Sequence, residues 1–219
     1  MEESVRDTRT QTDPDPRTRV RSTPWTPGSA PQVIRSPVHE VNQQCIEHLA
    51  RAAWEDKPGL PLARQLQARL RNASPEALTR AAQRPFLLVD LEFMNRGWWE
   101  LARKHPARIP STVRAGHFPK SAAIQLARAA IALLRHSLHS DGHEAVLLGA
   151  HPVVLENLQY LSPVEIERIV ERCFRDVRAR WEDRPAMWDI LLRAAATGDI
   201  RLTRHFSLKA MQLLAGETL

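Results

Sequence analysis

Three histidines and two acids lie close together in the sequence, and all five have side chains that can bind a metal. His136 and His139 are three residues apart on one predicted helix face, and Asp141, His143 and Glu144 follow. Imidazole and carboxylate groups bind zinc and other transition metals, but a metal site also needs fixed outer hydrogen bonds. A helix-breaking glycine precedes His143, so we interpret the group as solvated side chains at a helix end. We predict no metal site and no cofactor.

The residue patterns of common catalytic sites do not occur in this sequence. It has no GxSxG, no HExxH and no glycine-rich phosphate loop, and it contains only eight glycines. Cys45 and Cys173 lie on predicted apolar faces without a CxxC pair, which indicates buried thiols in a reducing cytosol. We therefore predict a cytoplasmic protein without enzymatic activity.

The strongest chemical signal in the chain is its arginine content. The formal net charge is +6, and only four of the 31 basic residues are lysines. The planar guanidinium of arginine suits phosphate and carboxylate partners. The residues that we predict to bind duplex DNA are Arg172, Arg175, Arg178, Arg180, Arg184, Arg201 and Arg204. The alternative is that they pair on a solvated face with Glu165, Glu167, Glu171, Glu182 and Asp183.

One thirteen-residue stretch occurs twice. Residues 162–174 align without a gap with residues 74–86, which lie 88 positions earlier (162 minus 74), and five residues are identical. The register continues to Asn95 and Asp183 with similar residue types. We interpret this as a diverged internal duplication. The alternative is that Ser-Pro, which begins both stretches, is simply a common start of a helix.

The two copies differ in charge beyond the aligned helices. Asp90 and Glu92 of the first copy correspond to Arg178 and Arg180 of the second copy. If both copies were only structural, we would expect similar solvent faces. The difference is typical of a division into a partner-binding half and a nucleic-acid-binding half.

Two adjacent tryptophans lie near the end of the first copy. Trp98 and Trp99 cannot both face the same core from one helix, because neighbouring side chains on a helix point in different directions. Tryptophans are frequent anchors of protein interfaces. We predict that this pair contributes to binding a partner protein.

Hydrophobic spacing predicts a mainly α fold with two repeated helical subdomains, each with a short extended segment, at 86–93 in the first and 174–181 in the second. The expected domains are a disordered Pro/Thr/Arg-rich arm at 1–36, a first helical repeat at 37–104, a basic linker at 105–120 and a second helical repeat at 121–219. The repeat favours two small cores over one large one. No apolar run reaches the roughly 18 residues of a membrane span, so we expect no membrane association.

The second repeat resembles the FlhD family, the D subunit of the bacterial flagellar transcriptional regulator. The resemblance rests on the spacing of Leu148-Gly149, Leu158, Leu161, Ser162, Ile166, residues 168–171 and residues 180–183. It covers roughly residues 121–215, and residues 37–104 more weakly through the duplication. The resemblance implies an all-helical cytosolic transcription regulator that dimerises and acts with a partner subunit in flagellum biogenesis.

Two functions therefore remain open from the sequence. The first is a DNA-binding regulator that acts through the basic second repeat, with a partner subunit or by self-association. The second is a helical adaptor that binds proteins and makes no direct contact with DNA. One continuous positive face favours the first function, and a mosaic of neutralised charges favours the second.

Overall fold

The computed structural model describes residues 36–55, 64–105, 109, 116–140 and 142–218. Nearly all of the predicted disordered arm at 1–36 and most of the predicted basic linker at 105–120 lie outside the described residues. The described part of the chain is mainly helical, as the sequence predicts. None of its helices combines the length and the apolar composition that a bilayer crossing requires.

The first half consists of four helices, each with an identifiable start. They are α1 (Pro37–Trp54), α2 (Arg64–Arg71), α3 (Pro75–Ala82) and α4 (Arg96–Lys104). Ser74 caps α3 by accepting a hydrogen bond from the Ala77 amide, and Asn95 caps α4 in the same way. Ser36 precedes a proline at the start of α1, but its side chain makes no capping hydrogen bond. The proline alone marks that start.

The second half begins with α5 (Lys120–Ser140), α6 (Gly142–Leu147), α7 (Pro152–Tyr160) and α8 (Pro163–Arg172). A single 3-10 turn (Phe174–Asp176) leads to α9 (Pro185–Thr197) and α10 (Ile200–Thr218). A capping box starts α8: the Ser162 side chain accepts from the Glu165 amide, and the Glu165 carboxylate accepts from the Ser162 amide. Gly198 ends α9 in the left-handed conformation.

Two short strands join the halves directly. Strand β1 (Val89–Asp90) pairs in antiparallel orientation with β2 (Arg178–Ala179), so that Val89 lies opposite Ala179 and Asp90 opposite Arg178. The extended segments predicted at 86–93 and 174–181 are therefore longer than the observed strands. The 3-10 turn occupies the start of the second segment, and bends flank β1.

A single hydrophobic cluster contains buried residues from both halves. The expectation of two small cores is therefore wrong, because elements of each half pack on elements of the other: α3 on α9, α4 on α7 and α1 on α5. Cys45 and Cys173 are free, buried thiols, as predicted. Burial raises the pKa of both, to about 12 for Cys173.

A buried asparagine fixes the chain between α3 and β1. The Asn42 side chain is 0 % exposed on α1. Its amide group donates to the Phe86 carbonyl at 2.8 Å, and its carbonyl oxygen accepts from the Leu88 amide at 2.7 Å. Asn42 thereby satisfies backbone groups that enter the core without a strand partner of their own. Asn42 was not a residue that the sequence pattern singled out.

We expect the Asn42→Ala variant to lose about 2 to 3 kcal/mol of unfolding free energy, because it leaves two buried backbone groups without their partner. Urea denaturation followed by circular dichroism measures this loss. Gln43→Ala is the matched control, since Gln43 is the next residue of α1 and its side chain hydrogen-bonds the exposed Glu47 side chain. Equal stability of the two variants would contradict the role of Asn42.

Candidate functional site

An open, charged cleft of about 890 Å³ lies where the two halves meet at β1 and β2. Its lining consists of Asp90, Glu92, Met94, Asn95, Arg96, Gly97, His151 and residues 178–183. The cleft thus combines the acidic segment of the first half with the arginine-containing segment of the second half. Two of the predicted site residues, Arg178 and Arg180, lie in this cleft.

Arg178 is the centre of the charges in this cleft. Its guanidinium contacts three carboxylates: Glu92, Glu182 at 3.3 Å and Asp90 at 3.8 Å. All four side chains are mostly shielded from solvent. Burial alone would lower the pKa of Arg178, but the three carboxylates outweigh it and raise that pKa above its ordinary value. Arg178 therefore joins the two halves by charge.

His117 extends this network from the opposite side of β2. Its Nδ1 accepts a hydrogen bond from the Ala179 amide at 3.2 Å, and its Nε2 contacts the Glu182 carboxylate. Burial alone would raise the pKa of Glu182, but the interactions with His117 and then with Arg178 lower it below its ordinary value. The sequence placed His117 in the basic linker, where no pattern indicated that it would be buried.

Arg180 is a buried residue and does not lie on a surface. It is 4 % exposed, donates from Nη2 to the Gly149 carbonyl at 2.8 Å and lies 3.5 Å from Asp90. Gly149 has a φ of +92°, and a Cβ at this position would overlap the Arg180 guanidinium. The prediction that Arg180 binds DNA is therefore wrong. Arg178 is also turned inward, toward the acids of the first half.

The other predicted cations have different surroundings. Arg172, Arg175, Arg184, Arg201 and Arg204 are exposed. Arg175 lies over the Phe174 ring, and Arg184 lies 3.9 Å from Asp183. Arg201 and Arg204 lie on α10, whose residues 200–216 include no acid. With Arg178 and Arg180 removed, the predicted DNA-binding set is divided between α8, the 3-10 turn, the start of α9 and α10.

The tryptophan pair is only partly accessible. Trp99 is 0 % exposed and donates from Nε1 to the Leu91 carbonyl at 3.2 Å. Trp98 is half-buried, packs against the core and meets Trp99 edge to face. The prediction that Trp99 contacts a partner is therefore wrong, because its ring and its polar group are both used inside the protein.

The histidine group predicted to be solvated lies only partly within the described residues, in which no cluster of three or more metal-binding side chains occurs. Nδ1 of His139 lies 2.6 Å from the Arg135 carbonyl, one helical turn earlier. The side chain of His143 lies outside the described residues.

Equivalent backbone features occur on both sides of the cleft. Glu92 and Trp181 are the two described non-glycine residues with a positive φ, at 51° and 55°. Trp99 bonds the Leu91 carbonyl from α4, and Trp188 bonds the Arg180 carbonyl from α9 at 2.7 Å. Glu92 and Trp181 are 89 positions apart (181 minus 92), and so are Trp99 and Trp188 (188 minus 99). The helix starts at Ser74 and Ser162 are 88 positions apart. The ungapped sequence register therefore shifts by one residue between helix and strand.

Exposed apolar side chains occur at a second location, the corner between α7 and α8. Tyr160 and Val164 are each 67 % exposed there. Pro163, Val164, Glu167, Arg168 and Glu171 line a shallow groove of about 510 Å³ along α8. We call this surface, with Tyr160, the α8 face. Arg128 of α5 binds Glu167 at its edge. The sequence pattern did not single out this surface.

We expect the protein to lose stability in acid through Glu182. A carboxylate whose pKa is lowered in the folded state contributes stability above its unfolded pKa, and this is lost as pH falls through the folded value. The unfolding free energy should therefore fall below about pH 4.5, the ordinary value for Glu182. Glu182→Gln should cost about 1 to 2 kcal/mol at pH 7 and flatten this dependence. Urea titrations from pH 7 to pH 3 measure both effects, and an unchanged acid slope in Glu182→Gln would exclude this contribution.

Comparison with protein-family models, curated proteins and solved structures finds no match to this chain.

Proposed function

We propose that this protein is a non-enzymatic helical adaptor that binds another protein through the second half of the chain. The observation that carries the proposal is the exposure of Tyr160 and Val164 at the α7–α8 corner. Val164 lies in the first turn of α8, which the capping box of Ser162 and Glu165 fixes, and Tyr160 is the last residue of α7. A tyrosine beside an aliphatic side chain and a polar rim is typical of protein interfaces.

The charge distribution supports an adaptor more than a DNA-binding protein. Arg178 and Arg180 form the centre of the predicted cationic segment, and both are engaged with carboxylates of the first half. Nucleic-acid binding depends on cations that can release counterions from phosphates. Arginines that are neutralised inside the protein do not contribute to that effect, and the cleft is a mosaic of both charges.

The internal duplication belongs to the same proposal. The order of three helices, a strand and a helix occurs in α1–α4 with β1 and again in α5–α9 with β2, with α6 inserted. An offset of 89 positions places Val89 on Arg178 and Asp90 on Ala179. The pair Val89–Ala179 is therefore equivalent to the pair Asp90–Arg178, so the two strands pair reciprocally. We infer that a helical unit that once paired with its own copy was duplicated into one chain. A protein assembled in this way already uses one interface internally.

The experiment that tests the adaptor function asks whether stable complexes depend on nucleic acid. The full chain, expressed in cells of its source, should be recovered in a stoichiometric complex with another protein that survives nuclease treatment and moderate salt. The Arg201→Glu, Arg204→Glu double variant should retain that complex, because these residues lie on α10. Loss of all complexes after nuclease treatment, or in this double variant, would contradict the adaptor function.

A second candidate function, DNA-associated regulation of the FlhD type, is favoured by one observation. Helix α10 presents exposed Arg201 and Arg204 in a stretch without acids. If this surface binds phosphates, the affinity for duplex DNA should fall steeply with salt, and each arginine replaced by alanine should reduce the slope of the salt dependence by about one. Fluorescence anisotropy with a labelled duplex measures that slope. Binding that does not depend on salt would exclude this candidate.

A further inference from the structure

Among the described residues, helix α3 of the first half has a covering that α8 of the second half lacks. Both helices begin with Ser-Pro, at positions 88 apart. Helix α9 packs along α3. Nε of Arg80 donates to the Ala195 carbonyl in the last turn of α9 at 2.7 Å. An arginine thus binds a free carbonyl group at a helix C-terminus, where cations are favourable. Arg168 is the residue of α8 that corresponds to Arg80, and it is exposed.

The missing covering has a physical cause in the length of α4. Helices α4 and α9 occupy equivalent places, since α4 packs on α7 as α9 packs on α2. Helix α9 has 13 residues, but α4 has only nine and ends at Lys104, two residues before Pro106. A proline removes a backbone donor and disfavours helix in the residue before it. No packing between α4 and α8 as extensive as that between α9 and α3 occurs in the described residues.

We propose that the α8 face binds the C-terminal turn of a helix from a partner protein, in the place that the last turn of α9 takes on α3. Arg168 binds the free carbonyl groups at the end of the partner helix, as Arg80 does for Ala195. Val164 and Tyr160 pack on small apolar side chains of that turn. This inference rests on the proposed adaptor function and specifies its binding surface.

The composition of the α8 face favours a protein helix over a nucleic acid. Glu167, one residue before Arg168, and Glu171, three residues after it, line the same groove. Glu167 is already bound by Arg128, so the two carboxylates and the two guanidinium groups of this face balance in charge. A face without a surplus of cations does not favour a phosphate backbone. It suits a carbonyl group at a helix end, which carries only a partial negative charge.

The test uses the full chain and a labelled synthetic peptide with the sequence of residues 185–199, which ends in the turn that covers α3. We expect the peptide to bind, and Arg168→Ala to weaken binding about tenfold through loss of a charge-assisted hydrogen bond. Val164→Glu should weaken binding at least as much. Arg168→Lys should restore part of the affinity. Arg201→Ala, an exposed arginine on a different helix, is the matched control and should bind as the unchanged protein does.

Three results would overturn the proposal. The first is no binding by the unchanged protein. The second is binding that Arg168→Ala leaves intact. This second result includes binding that depends on Arg80, because the peptide would then have displaced α9 from α3. The third is a dimer in sedimentation velocity that Val164→Glu converts to a monomer, since a second copy would then be the occupant. If nuclease-resistant complexes persist in Arg168→Ala and Val164→Glu, the adaptor function remains and only this surface is wrong.

Discussion

The Arg178→Glu variant should be less stable than the unchanged protein by about 4 kcal/mol, the size expected when one member of a shielded ion-pair network is reversed. The substitution removes the cation that three carboxylates share and places a fourth carboxylate among Asp90, Glu92 and Glu182. Because these acids come from both halves of the chain, the loss should appear as a shift of the whole unfolding transition. Urea denaturation followed by tryptophan fluorescence measures it.

Arg175→Glu is the matched control for this prediction. Arg175 lies three residues earlier, is exposed and contacts the ring of Phe174. Its reversal should change the unfolding free energy by less than about 1 kcal/mol, as for most surface substitutions. If the two variants were equally stable, Arg178 would be a surface residue and the interpretation of the cleft would fail.

The Gly149→Ala variant should also lose about 4 kcal/mol, for two reasons that add. A φ of +92° is unfavourable for any residue with a Cβ, which costs on the order of 1 to 2 kcal/mol. The new methyl group would also overlap the guanidinium of Arg180 and lie 2.9 Å from Cδ2 of Leu214, so the buried arginine would have to move away from its carbonyl partner. Thermal and urea unfolding measure the combined loss.

Gly198 separates these two causes. It also has a positive φ, of +68°, but no atom lies within 4 Å of the position that a Cβ would take. Gly198→Ala should therefore show the backbone cost alone, about 1 kcal/mol. Equal losses for Gly149→Ala and Gly198→Ala would mean that the contact with Arg180 contributes nothing.

The helices were predictable from local sequence because their signals are local. Ser162-Pro163 followed by Glu165 specifies a helix start through hydrogen bonds within three residues, and the structure has them. Gly198 ends α9 for a similarly local reason. The number of cores was not predictable in this way, because packing of α3 on α9 depends on contacts more than 100 residues apart in sequence, such as that of Arg80 with Ala195.

The site was predicted as a set of residues but not as an arrangement. The difference between Asp90 with Glu92 and Arg178 with Arg180 was visible in the sequence, and it suggested two surfaces with separate roles. In the structure these acids and arginines face each other and form ion pairs, so the charge difference between the two copies makes the two segments complementary. Sequence distance conceals this, since Glu92 and Arg178 are 86 positions apart. Asn42 and His117 were missed because a single polar residue carries no period or motif.

Charge reversal of Arg178 or Arg180 is consequently a poor test of DNA binding. Either reversal would perturb the fold, and a loss of binding would follow from unfolding. Arg201 and Arg204 are better positions for that question, because they are exposed on α10. Substitutions there separate the two candidate functions without disturbing the contact between the halves.

A double-mutant cycle between Glu92 and Arg178 is the most direct measurement of whether the cationic segment of the second half holds the two halves together. Glu92→Gln, Arg178→Gln and the double variant would be compared with the unchanged protein by urea denaturation at low salt. We expect a coupling energy of about 1 to 2 kcal/mol. A coupling energy of zero, with Arg178→Gln as stable as the unchanged protein, would contradict the internal pairing of the two segments. Arg178 would then be interpreted as a surface residue.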